Sequence, residues 1–81
     1  MYEEINEDIS VIGIYKKHHF SPKKFKWNNR VFPVDEVTLS NDVRDGMIKK
    51  RLYSVVASGN LYRLEFNRES EQWKILEVWV D

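Results

Sequence analysis

The sequence predicts an all-β domain: a small antiparallel meander of five or six strands that closes into a partly open barrel. Three observations carry this. The apolar runs are short, rich in β-branched and aromatic residues, and bounded by Asn, Ser or Gly. Period-two alternation is clean in "LYRLEF", where Tyr62, Leu64 and Phe66 share one face and Arg63 and Glu65 the other. Helical i, i+3, i+4 spacing does not persist beyond one turn. With 81 residues the chain makes one domain, residues 1–81. So short a chain leaves little for two full sheets, and a meander that closes on itself removes its own edges.

The first run, "ISVIGIYKK" from Ile9 to Lys17, is apolar on both faces. A long strand that passes from one sheet surface to another has this pattern, and Gly13 marks a bend or bulge within it. Pro22 has no N–H to donate, which argues against a central-strand position there. In "KKFKWNNRVFPVDEV", Lys24 and Lys26 alternate with Phe25 and Trp27, and Asn28-Asn29 forms a two-residue primed turn because Asn tolerates positive φ. On the return strand, Val31 to Leu39, Phe32 and Val34 share a face. Asp35-Glu36 breaks the alternation by one residue, as a bulge would. Pro33 requires an edge or non-donating position. Ser40 to Lys50, "SNDVRDGMIKK", reads as a polar loop with a turn at Asp45-Gly46. "KRLYSVVA" and "LYRLEF" form a hairpin about Ser58-Gly59-Asn60. "NRESEQ" is a polar turn, and "WKILEVWV" is the last strand, again apolar on both faces.

The core must be aromatic and aliphatic. There are three Trp, four Tyr and four Phe and no cysteine, so neither a disulfide framework nor a Cys-based zinc site is available. Thirteen basic residues balance thirteen acidic ones. Any polyanion binding must therefore come from charge separation, which the sequence shows. "MYEEINED" is acidic, Lys16–Arg30 holds six basic residues and no acidic one, Lys49–Arg51 is basic, and "ESE" at 69–71 is acidic. No basic and apolar leader pattern and no run near ~20 apolar residues is present, so the expected location is the cytoplasm, off the membrane.

Chemistry has little support. Gly-rich phosphate loops, H-E-x-x-H and G-x-S-x-G are absent. His18 and His19 are adjacent, so in a strand their rings point to opposite faces, and no metal or cofactor is expected. "NDVRDG" fails the calcium-loop pattern, with Val43 at the third position and Leu52 at the twelfth. The expectation is a chain that is not an enzyme. The basic-aromatic stretch is the one constellation above background. Lys16, Lys17, Lys23, Lys24, Lys26 and Arg30, with Lys49, Lys50 and Arg51, are candidate phosphate contacts; Phe20, read as a loop residue, is the candidate base-stacking ring. Alternation assigns Phe25, Trp27 and Phe32 to the core. At the other end, Trp79 faces out if Val78 and Val80 face in.

"FKWNNRVFPVDEV", "RLYSVVASGNLYRLEF" and "WKILEVWVD" together resemble a group of small uncharacterised bacterial β-domains. Their pattern is roughly F-x-W-x-G-R-x-Y-x-V-x-x-V, a loop, Y-x-V…G-x-Y-x-L, and W-x-L-x-x-V. Asn29 stands where that pattern prefers Gly before Arg30. Some members lie beside translesion-polymerase-like proteins, so the resemblance implies an accessory role in DNA metabolism and carries no catalytic residues over.

Two functions follow as expectations. The first is a non-catalytic protein-protein or homo-oligomeric interaction module, a homodimer through the first or last strand that uses Ile9, Val11, Tyr15, Val78, Trp79 and Val80. The alternative is weak, sequence-independent nucleic-acid binding through Lys16–Arg30.

Overall fold

The structure, a computed structural model, describes residues 1–80, and all of its regular elements are strands. They are β1 (Tyr2–Lys16), β2 (His19–Trp27), β3 (Arg30–Pro33), β4 (Glu36–Asp45), β5 (Ile48–Ala57), β6 (Asn60–Asn67) and β7 (Gln72–Trp79). They form one antiparallel sheet of seven strands in the order β3-β2-β1-β7-β6-β5-β4, curled into a half-barrel.

The expected five or six strands become seven for a traceable reason. Every neighbouring pair is antiparallel, so β3 and β4 run in the same direction although they lie at opposite edges. Residues 30–45 are one strand broken at Val34-Asp35 and shared between the two edges. Val34 N–H donates to the Lys23 carbonyl and Asp35 N–H to that of Val56, each at 2.8 Å. The irregularity expected at Asp35-Glu36 is this break; a separate register shift follows between Val37 and Leu39.

β1 is the hinge of the sheet. Its first half pairs with β7 from Tyr2 to Ile9, and its second half pairs with β2 from Ser10 to Lys16. The acidic N-terminal segment is thus strand, and Asn6, at φ 55°, sits in the bulge between Glu4 and Glu7. Gly13 lies at a second bulge, opposite Pro22 with Lys23 as the extra residue. That bulge is why Pro22 is tolerated inside β2, against the sequence expectation. It is buried there, and β3 pairs only with residues 24–27, so no second neighbour awaits its missing N–H.

The turns match the sequence. Asn28 and Asn29 have φ of 54° and 61°, and Ser58 and Gly59 have 51° and 79°, as two-residue primed hairpins require. Lys17-His18 makes a third, at 51° and 67°. After Asn67 the polar turn is tied by its side-chain Oδ1, which accepts from the N–H groups of Glu69 and Ser70. Residues 40–50, expected to be a loop, are instead the β4–β5 hairpin around Gly46-Met47. All of β4 but Val43 is exposed. Val37 and Leu39 belong to the strand read from the sequence, but from Ser40 to Asp45 only Val43 is apolar, and backbone pairing with β5 holds that half in place.

The core lines the concave face: Phe25, Phe32, Tyr53, Val55, Tyr62, Leu64, Ile75 and Val78. Phe25 stacks on Phe32 with centroids 5.1 Å apart and meets Tyr62 edge-on at 5.2 Å. Trp27 is half-buried beside Phe32, and its indole N–H donates to Glu7 Oε1 at 2.8 Å.

Candidate functional site

One inner-face row runs across five strands through the ladder pairs Asp42–Arg51, Arg51–Phe66, Phe66–Trp73 and Trp73–Ile9. Next to it, toward the open end, Arg44 pairs across from Lys49, whose carbonyl accepts the Arg68 N–H at 2.9 Å. Tyr15 and Phe20 face each other across β1 and β2 at the same end. Arg51, Phe66, Trp73, Tyr15 and Phe20 of these rows, with Arg68, line a groove of about 530 Å³ whose floor is aromatic. The Trp73 ring lies 4.8 Å from Phe66, 5.4 Å from Tyr53 and 5.7 Å from Phe20. Tyr15, 69% exposed, stands over the mouth, 6.5 Å from Phe20.

The electrostatics of the groove centre on Asp42. Arg51 Nε donates to Asp42 Oδ1 at 2.6 Å, and Arg68 approaches Oδ2 at 3.8 Å. The hydrogen bond from Arg51 holds the Asp42 carboxyl below its ordinary range, with partial burial opposing, and the same bond holds the Arg51 guanidinium above its own. Arg44, Lys49, Arg51 and Arg68 thus face two carboxylates, Asp42 and Glu71, around the groove and the hollow next to it. The arrangement can stack flat rings and attract anions. Among the described residues no group of three or more His, Asp or Glu side chains is placed to hold a metal ion.

The basic residues singled out from the sequence fall into two groups. Lys24 and Lys26 lie on the convex face of β2, in register with Ile12 and Ser10 of β1, and Lys23 is the bulged residue beside them. Lys16 also ends on that face, opposite His19, while Lys17 is in the turn and Arg30 is stacked 5.4 Å over the Phe32 ring. Among the described residues none of the five lysines has an acidic partner within ion-pair distance. Lys49–Arg51 belongs to the other lobe and alternates across its strand. Lys50 points outward to Asp45 and Glu65 at 3.4 and 3.5 Å, while Lys49 and Arg51 point into the concave side. Phe20 is a half-buried strand residue packed against the core, because the Lys17-His18 turn is only two residues long.

The six residues expected at an interface are also divided. Val78 is buried, and Ile9, Val11 and Val80 pack against the core, because the bulges in β1 and β7 turn these apolar residues inward. β1 and β7 pair with each other in mid-sheet, so neither offers a free edge. Trp79 faces out, as the sequence implied, in a convex row with Val56, Leu61 and Tyr2. Its ring lies 4.6 Å from that of Tyr2, and the two are 48% and 43% exposed. Sequence reasoning misses Arg44, Phe66, Arg68 and Trp73 as site residues, because their proximity exists only after four strands are in register.

The sequence matches no protein-family model, no curated protein and no solved structure.

Proposed function

We propose that the chain is a non-catalytic interaction module that pairs with a second copy of itself through the convex row Tyr2, Trp79, Leu61 and Val56. The observation that carries the reading is the exposure of Trp79 and Tyr2 side by side on the convex face. The next row on that face, Glu4, Glu77, Arg63 and Ser54, is polar. Leu61 and Val56 extend the apolar row across two further strands, and Met1, 86% exposed, lies beside it. A contiguous exposed apolar patch with aromatic centres is what interfaces use. When such a patch meets the same patch on a second copy about a two-fold axis, the assembly closes at two. Light scattering tests it. The wild type should exceed the monomer mass, and Trp79→Glu should return it to monomer with the fold intact.

We also infer that the meander closes into a partly open barrel. The support is the pair of backbone bonds that fasten the Val34-Asp35 link to β2 and β5.

A second reading, weak nucleic-acid binding in the cytoplasm, is supported by the unpaired lysines of β1 and β2 and by the resemblance to β-domains found near translesion-polymerase-like proteins. On this reading Lys23, Lys24 and Lys26 replaced together by Glu should abolish retention of an oligonucleotide at low salt.

A further inference from the structure

We propose that the groove at the open end of the half-barrel is a binding site for a short single-stranded nucleic acid. Bases would stack against Trp73, Phe20 and Tyr15, and phosphates would run along Arg44, Lys49 and Arg68. The inference takes its ligand class from the second reading above but moves the site from the convex lysines to the concave face.

The floor of the groove consists of rings. Trp73 has Phe66, Tyr53 and Phe20 within 5.7 Å, and of these four rings only Tyr53 is fully buried. Tyr15 is 69% exposed and stands across the mouth, placed to sandwich a flat ring rather than to fill the core. Stacking on such rings suits any base, since every base has a π-face.

The charge of the groove is complementary to a phosphodiester backbone. Arg51 is committed to Asp42 at 2.6 Å, and Arg68 approaches the same carboxylate at 3.8 Å; Arg44 and Lys49 lie in the adjoining hollow, and Lys17 is in the neighbouring turn. The opposing carboxylates are Asp42, already shared between two arginines, and Glu71 at the far lip. Arg68 borders both the groove and the hollow that holds Arg44 and Lys49, so the cations continue from one wall of the groove while the rings form its floor. That separation fits a strand whose phosphates lie on one side and whose bases lie on the other. A duplex, with its bases inside, could use only the wall.

The volume of about 530 Å³ falls within the range of about 300–1,000 Å³ typical of ligand clefts. The lining of the groove is drawn from β1, β2, β5, β6 and β7 and the turns beside them.

The test uses the full chain and a fluorescently labelled dT10 in low salt, read by anisotropy. Four proteins are compared: Tyr15→Ala, Arg68→Glu, the convex triple Lys23→Glu/Lys24→Glu/Lys26→Glu, and the wild type. Circular dichroism confirms that each variant is folded, and the exposure of Tyr15 and Arg68 makes both changes tolerable. We expect the wild type to bind dT10 more tightly than a ten-base-pair duplex or dTMP. Tyr15→Ala should weaken binding roughly 5- to 150-fold, the effect of one lost stacking partner. Arg68→Glu should flatten the slope of log affinity against log salt by about 0.7 per lost phosphate contact. The convex triple should bind within a few-fold of the wild type. If binding is lost in the convex triple and kept in Tyr15→Ala and Arg68→Glu, the groove proposal fails while nucleic-acid binding stands. If the wild type retains no dT10 at low salt, both fail. Equal affinity for dTMP, or for polyglutamate of similar charge, would also overturn the single-strand assignment.

Discussion

Replacing Gly13 by Ala should be the most costly single-methyl change in the molecule. Gly13 faces Pro22 at the β1–β2 bulge, where neighbouring atoms already occupy the space a Cβ would need. A Cβ built there would sit inside van der Waals contact of the Ser21 carbonyl oxygen and 2.5 Å from Phe20 Cζ. The Phe20 ring can rotate away only by leaving Trp73. The carbonyl is backbone and cannot move without opening the ladder. Forcing a methyl into a packed site costs typically 1–3 kcal/mol, and the immobile neighbour places this case near the top, about 2–3 kcal/mol. Ala also stiffens the unfolded chain, which returns about 0.4–1 kcal/mol. The net loss of about 2 kcal/mol corresponds to a fall of roughly 8–16 °C in thermal midpoint for a domain of this size. Gly59 is the control. It has φ +79° and nothing within 4 Å, so its constraint is conformational rather than steric. Gly59→Asn should therefore be nearly neutral, whereas Gly13→Asn should be at least as damaging as Gly13→Ala. Thermal melts of these three variants beside the wild type decide the matter. If Gly13→Ala melts within a degree or two of the wild type, the close approach of β1 and β2 is wrong, and with it the placement of Phe20 in the groove.

Two further substitutions probe the site and its support. Trp27→Ala should cost about 2–4 kcal/mol in urea unfolding, somewhat below a fully buried Trp because the ring is half-exposed, while Trp27→Phe should lose about 1 kcal/mol with the Glu7 hydrogen bond. Asp42 is held below its ordinary pKa by Arg51, so its contribution is fully present above about pH 4, the unfolded value, and is lost as pH falls through the lower folded value. Asp42→Asn should therefore be less stable than the wild type at pH 7, by no more than about 1 kcal/mol for so exposed a pair, and the gap should close in melts recorded near pH 2.

The features legible in the sequence are those written locally. Asn28-Asn29 and Ser58-Gly59 carry the φ their turns require, so the residues alone place both hairpins. Phe25 and Leu64 stand between polar residues, and Phe32 and Tyr62 share period-two spacing with Val34 and Leu64; that spacing assigns them to the core where they are found. Gly13 signals its bulge. The half of β4 from Ser40 to Asp45 is illegible because its side chains other than Val43 are polar, and what makes it a strand is the ladder to β5. The break at Val34-Asp35 shows in the sequence as an irregularity, but its consequence does not. A kinked strand and two strands at opposite edges share one local pattern, and only the pairing order of the whole sheet distinguishes them. The groove is illegible for a related reason. Arg51, Phe66 and Trp73 become neighbours through the register of β5, β6 and β7, a long-range property that no stretch of sequence contains. The basic segment, prominent in the sequence, scatters over a convex face, a turn and one ring stack.

If the row containing Trp79 joins two copies of the chain, mass in solution must report it. The deciding experiment is light scattering of the wild type and Trp79→Glu over a range up to high micromolar concentration. The expected wild-type mass rises toward twice the 9.8 kDa of one chain, with Trp79→Glu folded and held at 9.8 kDa throughout. A wild type that stays at the monomer mass, or a Trp79→Glu variant that still pairs, would contradict the pairing of two copies through this row.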